Sequence, residues 1–184
     1  MWYQTETRGR LRRLRDRVAR ASLRTVCIVA IAVSAVAARA DIGVGDVFPS
    51  LSSAGLTIAG VPALAGRVVL IDFWASWCAP CKASFPSYAR LHADYAAREF
   101  VIVAVSVDES AAAYASFIKK LQPPFVVVRD EEQKLAKAVN VPAMPTSYLL
   151  GRDGRVRFVH QGFHGAATET ELRQNIDSLL AEKS

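Results

Sequence analysis

Two cysteines three residues apart, Cys78 and Cys81, are the residues of this chain best suited to chemistry. They sit in Trp77-Cys78-Ala79-Pro80-Cys81, directly after the apolar run Val68-Val69-Leu70-Ile71-Asp72-Phe73-Trp74. An alanine-rich segment with Ala83, Ala89, Ala93, Ala96 and Ala97 follows. A strand that hands over to a helix here leaves unpaired amide N–H groups and the positive helix end beside Cys78. Both favour an anion, so Cys78 should ionise more readily than an ordinary cysteine, whose pKa is about 8.5. Cys81 falls on the same helical face, close enough for the two sulfurs to bond. Pro80 fits the first turn, where its missing N–H has no partner. Half of a zinc site is the rival pattern, but a structural zinc needs about four ligands and the sequence holds no second cysteine pair. A C-x-x-C beside a βαβ pattern reads as redox-active.

The surrounding chain supplies the elements that would position this pair. Its net charge of +6 comes from the N-terminus, where residues 1–40 hold nine arginines and only Glu6 and Asp16 as acids. The remainder is nearly neutral, which argues against nucleic acid as a partner. An arginine-rich segment, an uncharged run over 25–38 that contains Cys27, and Ala38-Arg39-Ala40 follow one another. That order predicts a secretory signal peptide over 1–40. An uncleaved membrane anchor is the alternative, although the apolar run is shorter than the roughly 20 residues a spanning helix needs. Residues 41–184 then form one domain. A Gly-, Ser- and Pro-rich lead-in carries a short edge strand at Leu56-Thr57-Ile58. Residues 68–73 and 100–107 are apolar on both faces and predict central strands. The helix after the cysteines should kink at Pro86 and bury Tyr88, Leu91 and Tyr95. Asp108 or Ser110 caps a helix to about Leu121, and strand 124–128 and a short helix over 131–139 follow. Strands 146–150 and 156–160 flank Gly151-Arg152-Asp153-Gly154, a hairpin signal. Leu172, Ile176, Leu179 and Leu180 mark a closing helix over 168–181. This order gives an α/β fold with parallel strands in the middle and an antiparallel hairpin at one edge.

Phe73-Trp74-Ala75-Ser76-Trp77-Cys78-Ala79-Pro80-Cys81-Lys82 resembles the active site of the thioredoxin superfamily. Pro86 matches the helix proline of that family, and Val141-Pro142-Ala143-Met144-Pro145-Thr146 its cis-proline loop. The opening Val44-Gly45-Asp46-Val47-Phe48-Pro49 and extra residues at about 108–130 resemble the TlpA/ResA/DsbE-like branch. The resemblance implies a thioredoxin fold with a mixed central sheet flanked by helices and a helix–strand insertion. It also implies an exported disulfide reductase. Two positions depart from the branch: Ser84 stands where it often has Glu, and where it often has Asn this chain has Asp72, like thioredoxin itself.

Each candidate then takes a role. Cys78, at the exposed start of the helix, attacks a substrate disulfide, and Cys81, one turn deeper, resolves the mixed disulfide. Asp72 lies in an apolar strand, where an unpaired carboxylate is costly and its pKa should rise. It is expected to accept the proton of Cys81; a strand-end Asp facing solvent is the alternative. The resemblance implies a cis bond before Pro145 and free Met144 main-chain groups for a substrate strand. Trp77, Pro80 and Met144 are expected to meet substrate, whereas Trp74 is equally well read as core. Of the three histidines, His92, His160 and His164, the pair His160 and His164 read as ordinary surface histidines rather than copper ligands, with no metal and no cofactor expected. Ala79-Pro80 places no cation between the cysteines, which points to a reductant rather than a strong oxidant. Implied partners are protein disulfides such as apocytochrome c and a membrane thiol protein that donates electrons to a periplasmic monomer. A copper-handling chaperone and a thiol peroxidase on the same fold are the competing functions.

Overall fold

The computed structural model describes residues 41–56 and 64–182. The expected signal peptide, Cys27 and most of the expected edge strand at 56–58 lie outside them. Five strands and four helices follow in the order β1 (Val68–Trp74), α1 (Ala79–Tyr95), β2 (Phe100–Ser106), α2 (Ala111–Leu121), β3 (Val126–Arg129), α3 (Lys134–Ala138), β4 (Thr146–Leu150), β5 (Val156–Gln161) and α4 (Ala166–Ala181). The sheet order is β3-β2-β1-β4-β5. β1, β2 and β3 run parallel, and β4 and β5 pair antiparallel. This is an α/β thioredoxin fold, with α2 and the edge strand β3 occupying the segment at about 108–130.

Every residue of β1 and β2 is buried, as expected of strands covered on both faces. Boundaries moved where local chemistry intervened. β3 starts at Val126, beyond Pro123 and Pro124, which have no N–H to give to a ladder. α3 is shortened to five residues because Gln133, at its start, takes a left-handed φ of 53°. α1 runs through Pro86 as one helix. Proline removes the donor that the Lys82 carbonyl would use, but Lys82 and Pro86 both lie on the exposed face, where water can replace it.

An aromatic cluster ties the cysteine-bearing helix to the sheet. Trp74 at the end of β1 meets Phe85 of α1 edge-to-face at 4.9 Å and packs at a tilt on Phe117 of α2 at 4.5 Å. Phe85 also meets Phe117 and Phe125. On the other side, Arg173 of α4 reaches Asp94 of α1 at 2.7 Å and Glu169 at 3.0 Å. Phe85 is 3 % exposed at the centre of the cluster. Phe85→Ala should therefore cost about 3–5 kcal/mol in urea unfolding. A loss below about 1 kcal/mol would mean that the cluster does not anchor α1.

Candidate active site

Cys78 is the N-cap of α1, and its sulfur accepts the amide N–H of Cys81 at 3.2 Å. Here the N-cap group is a sulfur, seated where unpaired amides and the helix dipole favour negative charge. Cys78 and Cys81 are joined as a disulfide, with Cα atoms 5.3 Å apart. Cys81 is fully buried. Cys78 is less open than the sequence led us to expect, with only 5 % exposed. Its sulfur is turned back towards its own helix rather than outward. Trp77, by contrast, is 68 % exposed, while Trp74 is core.

The loop before Cys78 is held by a residue that sequence reasoning treated only as a helix cap. Asp108 follows β2 and is buried. Its carboxylate accepts the Ser76 N–H at 3.0 and 3.1 Å, the Ser76 hydroxyl at 2.8 Å and the Ser106 hydroxyl at 2.8 Å. Ser110, not Asp108, caps α2. Ser84, in place of the branch's Glu, is buried and donates to the Cys81 carbonyl at 2.9 Å.

Asp72 lies in the middle of β1, fully buried, which overturns the solvent-facing alternative. Tyr88 of α1 donates to its Oδ1 at 2.9 Å and Ser147 of β4 at 2.8 Å. Oδ2 is buried without a hydrogen-bond partner among the described residues. Burial pushes the carboxyl up to about 7, against a smaller downward pull from the Ser147 and Tyr88 hydroxyls. Burial, followed by the charge of Asp72, pushes the Tyr88 phenol well above its usual value, so it stays a donor. Neither hydroxyl was foreseen as part of the site. Tyr88 read as apolar face, although its spacing of seven from Cys81 places both on one side of α1. Ser147 is the direct cross-strand partner of Asp72.

The Met144–Pro145 bond is cis. Thr146 pairs with Phe73, so the turn before β4 stands beside the loop after β1. Trp77 and Met144 line one groove of about 640 Å³ together with Val107, Ala113, Val141 and Pro142. Pro80 is exposed at the start of α1, outside that groove. His160 corrects the surface expectation. It is 7 % exposed, with Nε2 3.3 Å from the Asn175 amide and Nδ1 3.6 Å from Glu171 of α4. Burial holds its pKa below the usual value. Among the described residues no cluster of three His, Cys, Asp or Glu side chains is arranged to hold a metal.

A disulfide at the N-terminus of α1, a cis-proline turn beside it and the β3-β2-β1-β4-β5 sheet define a protein of the thioredoxin superfamily. More narrowly, the Redoxin family model matches residues 44–176, and the chain belongs to that family. It resembles the ResA/DsbE-like members. Thiol-disulfide oxidoreductase ResA of Bacillus subtilis is 37% identical over 93 residues, which is 50% of this chain and 52% of the relative. The chain thus spans about half the length of that relative. A candidate thiol:disulfide interchange protein DsbE from Chlorobium tepidum superposes with a TM-score of 0.68 at 32% identity, covering 77% of this chain and all of that one (100%). A secreted Mycobacterium tuberculosis disulfide oxidoreductase homologous to Escherichia coli DsbE gives 0.55 at 25% identity, over 64% of this chain and 85% of that one.

Proposed function

We propose that this protein is a thiol–disulfide oxidoreductase that works as an exported reductase of protein disulfides. The observation that carries this is the Cys78 sulfur at the helix start, accepting an amide N–H, with a buried carboxylate under the same helix. In the reduced form the Cys78 thiolate attacks a substrate disulfide, forms a mixed disulfide and expels one substrate thiolate. Asp72 accepts the proton of Cys81. The Cys81 sulfur then bonds to Cys78 and releases the second substrate sulfur. Catalytic roles thus fall to Cys78, Cys81 and Asp72, while Pro145 shapes the turn that presents Met144 to substrate. Trp77, Pro80 and Met144 form the surface a substrate meets.

Residues 1–40 carry the export signal or an anchor, and the secreted M. tuberculosis relative supports the same placement. No helix among the described residues is long and apolar enough to cross a membrane. In an oxidising compartment such a reductase needs electrons from a membrane thiol protein. Its substrate is an apocytochrome c with an oxidised C-x-x-C-H site or a protein of similar disulfide chemistry, and the enzyme acts as a monomer.

Cys81→Ser tests this, because it keeps the attacking thiol and removes the resolving one. Mixed disulfides should accumulate in cells, run as shifted bands on non-reducing gels, and collapse on reduction. Mass spectrometry then identifies the captured chain. Trapping by Cys78→Ser but not by Cys81→Ser would reverse the two roles. No trapping by either, with tight Cu(I) binding by the purified protein, would replace the reductase with a copper chaperone.

A further inference from the structure

Asp72 is held asymmetrically. Both hydrogen bonds, from the Tyr88 and Ser147 hydroxyls, end on Oδ1, and the two hydroxyl oxygens lie 3.0 Å apart. Oδ2 is equally buried and has no partner among the described residues. A carboxylate oxygen offers two lone-pair sites, so two donors occupy Oδ1 while Oδ2 keeps its own open. The arrangement is built from three separate elements. Sheet register sets Ser147 directly opposite Asp72. Tyr88 descends from α1, two turns beyond Cys81 on the buried face. An apolar residue at either place would fill the space without supplying a donor.

We propose, building on Asp72 as the proton acceptor of Cys81, that Tyr88 and Ser147 are positioning residues that together hold Oδ1 and direct the proton of Cys81 to Oδ2. The Cys81 S–H bond breaks as the Oδ2–H bond forms. The Cys81 sulfur bonds to that of Cys78, and the bond from Cys78 to the substrate sulfur breaks. The electron pair leaves on the substrate sulfur, which takes a proton from water; Asp72 later returns its own proton to water. Redox state and atoms balance without a further reagent. The hydroxyls also stabilise the ionised acceptor, so the base stays available near neutral pH despite its burial.

Among the described residues few other groups compete for control of this carboxyl. From α1 the titratable group in contact with Asp72 is Tyr88, and Cys81 is bound in the disulfide. β2 contributes Ala104, the register partner of Asp72. β4 contributes Ser147. One strand further, His160 pairs with Ser147, but its ring nitrogens engage Asn175 and Glu171 of α4. The buried residues of α4 are Thr168, Leu172, Ile176 and Leu179, none of them charged.

The test combines infrared spectroscopy with single-turnover kinetics on Tyr88→Phe, Ser147→Ala and Ser147→Thr. In the oxidised protein the protonated Asp72 carbonyl band is assigned by its loss in Asp72→Asn. With the proton on Oδ2, Oδ1 is the carbonyl and accepts both hydroxyls. Each deletion should move the band to higher wavenumber and raise its titration midpoint by about one pH unit. Ser147→Thr, which keeps the hydroxyl, should restore both. The pH midpoint for release of the mixed disulfide should move with the band, while formation of the mixed disulfide keeps its own pH profile. A band unmoved by either deletion would overturn the assignment of the proton to Oδ2. A moved band with an unmoved kinetic midpoint would instead remove Asp72 as the acceptor and leave the hydroxyl clamp in place. Should Tyr88→Phe fail to fold, the Ser147 pair of variants decides the question alone.

Discussion

Cys78→Ser should have no disulfide-reductase turnover above the uncatalysed rate with an insulin-type protein substrate. The thiolate is the attacking species, and a serine hydroxyl at the same N-cap stays protonated at neutral pH. The helix start favours an anion only where a group can ionise in the working range. The internal disulfide is lost as well, but it closes a very short loop. By chain entropy its removal costs only about 2 kcal/mol. A serine N-cap is also among the best for a helix, so α1 should remain formed. Circular dichroism matching wild type, together with absent turnover, is the expected pair of results. Turnover within tenfold of wild type would show that Cys78 is not the nucleophile.

The second large effect belongs to Asp72→Asn. Release of the mixed disulfide should slow by about 10²-fold, the lower range for loss of a positioned base. Mixed-disulfide formation should change little. In wild type the release rate should rise with pH and level off above about 7, where Asp72 becomes ionised. The variant should lose that inflection. Folding stability carries the same signature with a definite sign. A carboxyl raised from 3.8 to about 7 binds its proton more tightly when folded. Its stabilising contribution is complete below the unfolded value and is lost as pH rises through about 7. The full difference is on the order of 4 kcal/mol, so oxidised wild type should weaken relative to Asp72→Asn between pH 5 and 8. Urea midpoints at those two pH values measure this. Parallel pH trends in the two proteins would assign the titration to another group.

Much of this was legible in the sequence because it depends on neighbours along the chain. Apolar runs of strand length marked β1 and β2. The spacing of Leu172, Ile176 and Leu179 marked α4, and Asp153-Gly154 marked the hairpin, where Gly154 takes a φ of 74°. The strand–helix junction at Cys78 and Cys81 was also local, and it placed a sulfur at the start of a helix without any tertiary contact. The carboxylate in an apolar strand announced itself by its cost.

The partners of that carboxylate could not be read the same way. Tyr88 lies 16 residues from Asp72 and Ser147 lies 75 residues away. A tyrosine on an apolar helix face looks like core until the helix is docked and its hydroxyl finds an acceptor. A serine in a strand looks unremarkable until sheet register sets it opposite an aspartate. Asp108 resembled a helix cap for the same reason, since both roles use a carboxylate that accepts N–H groups. Only the return of the chain beside Ser76 decided which amide it would take. His160 looked like an ordinary surface histidine because nothing along the chain marks its burial, which comes from α4 and its Asn175. Local propensity and periodicity therefore determined the elements and the reactive pair. Packing of α1 and β4 around β1 decided the environment of Asp72, because burial and hydrogen-bond partners are properties of the assembled core.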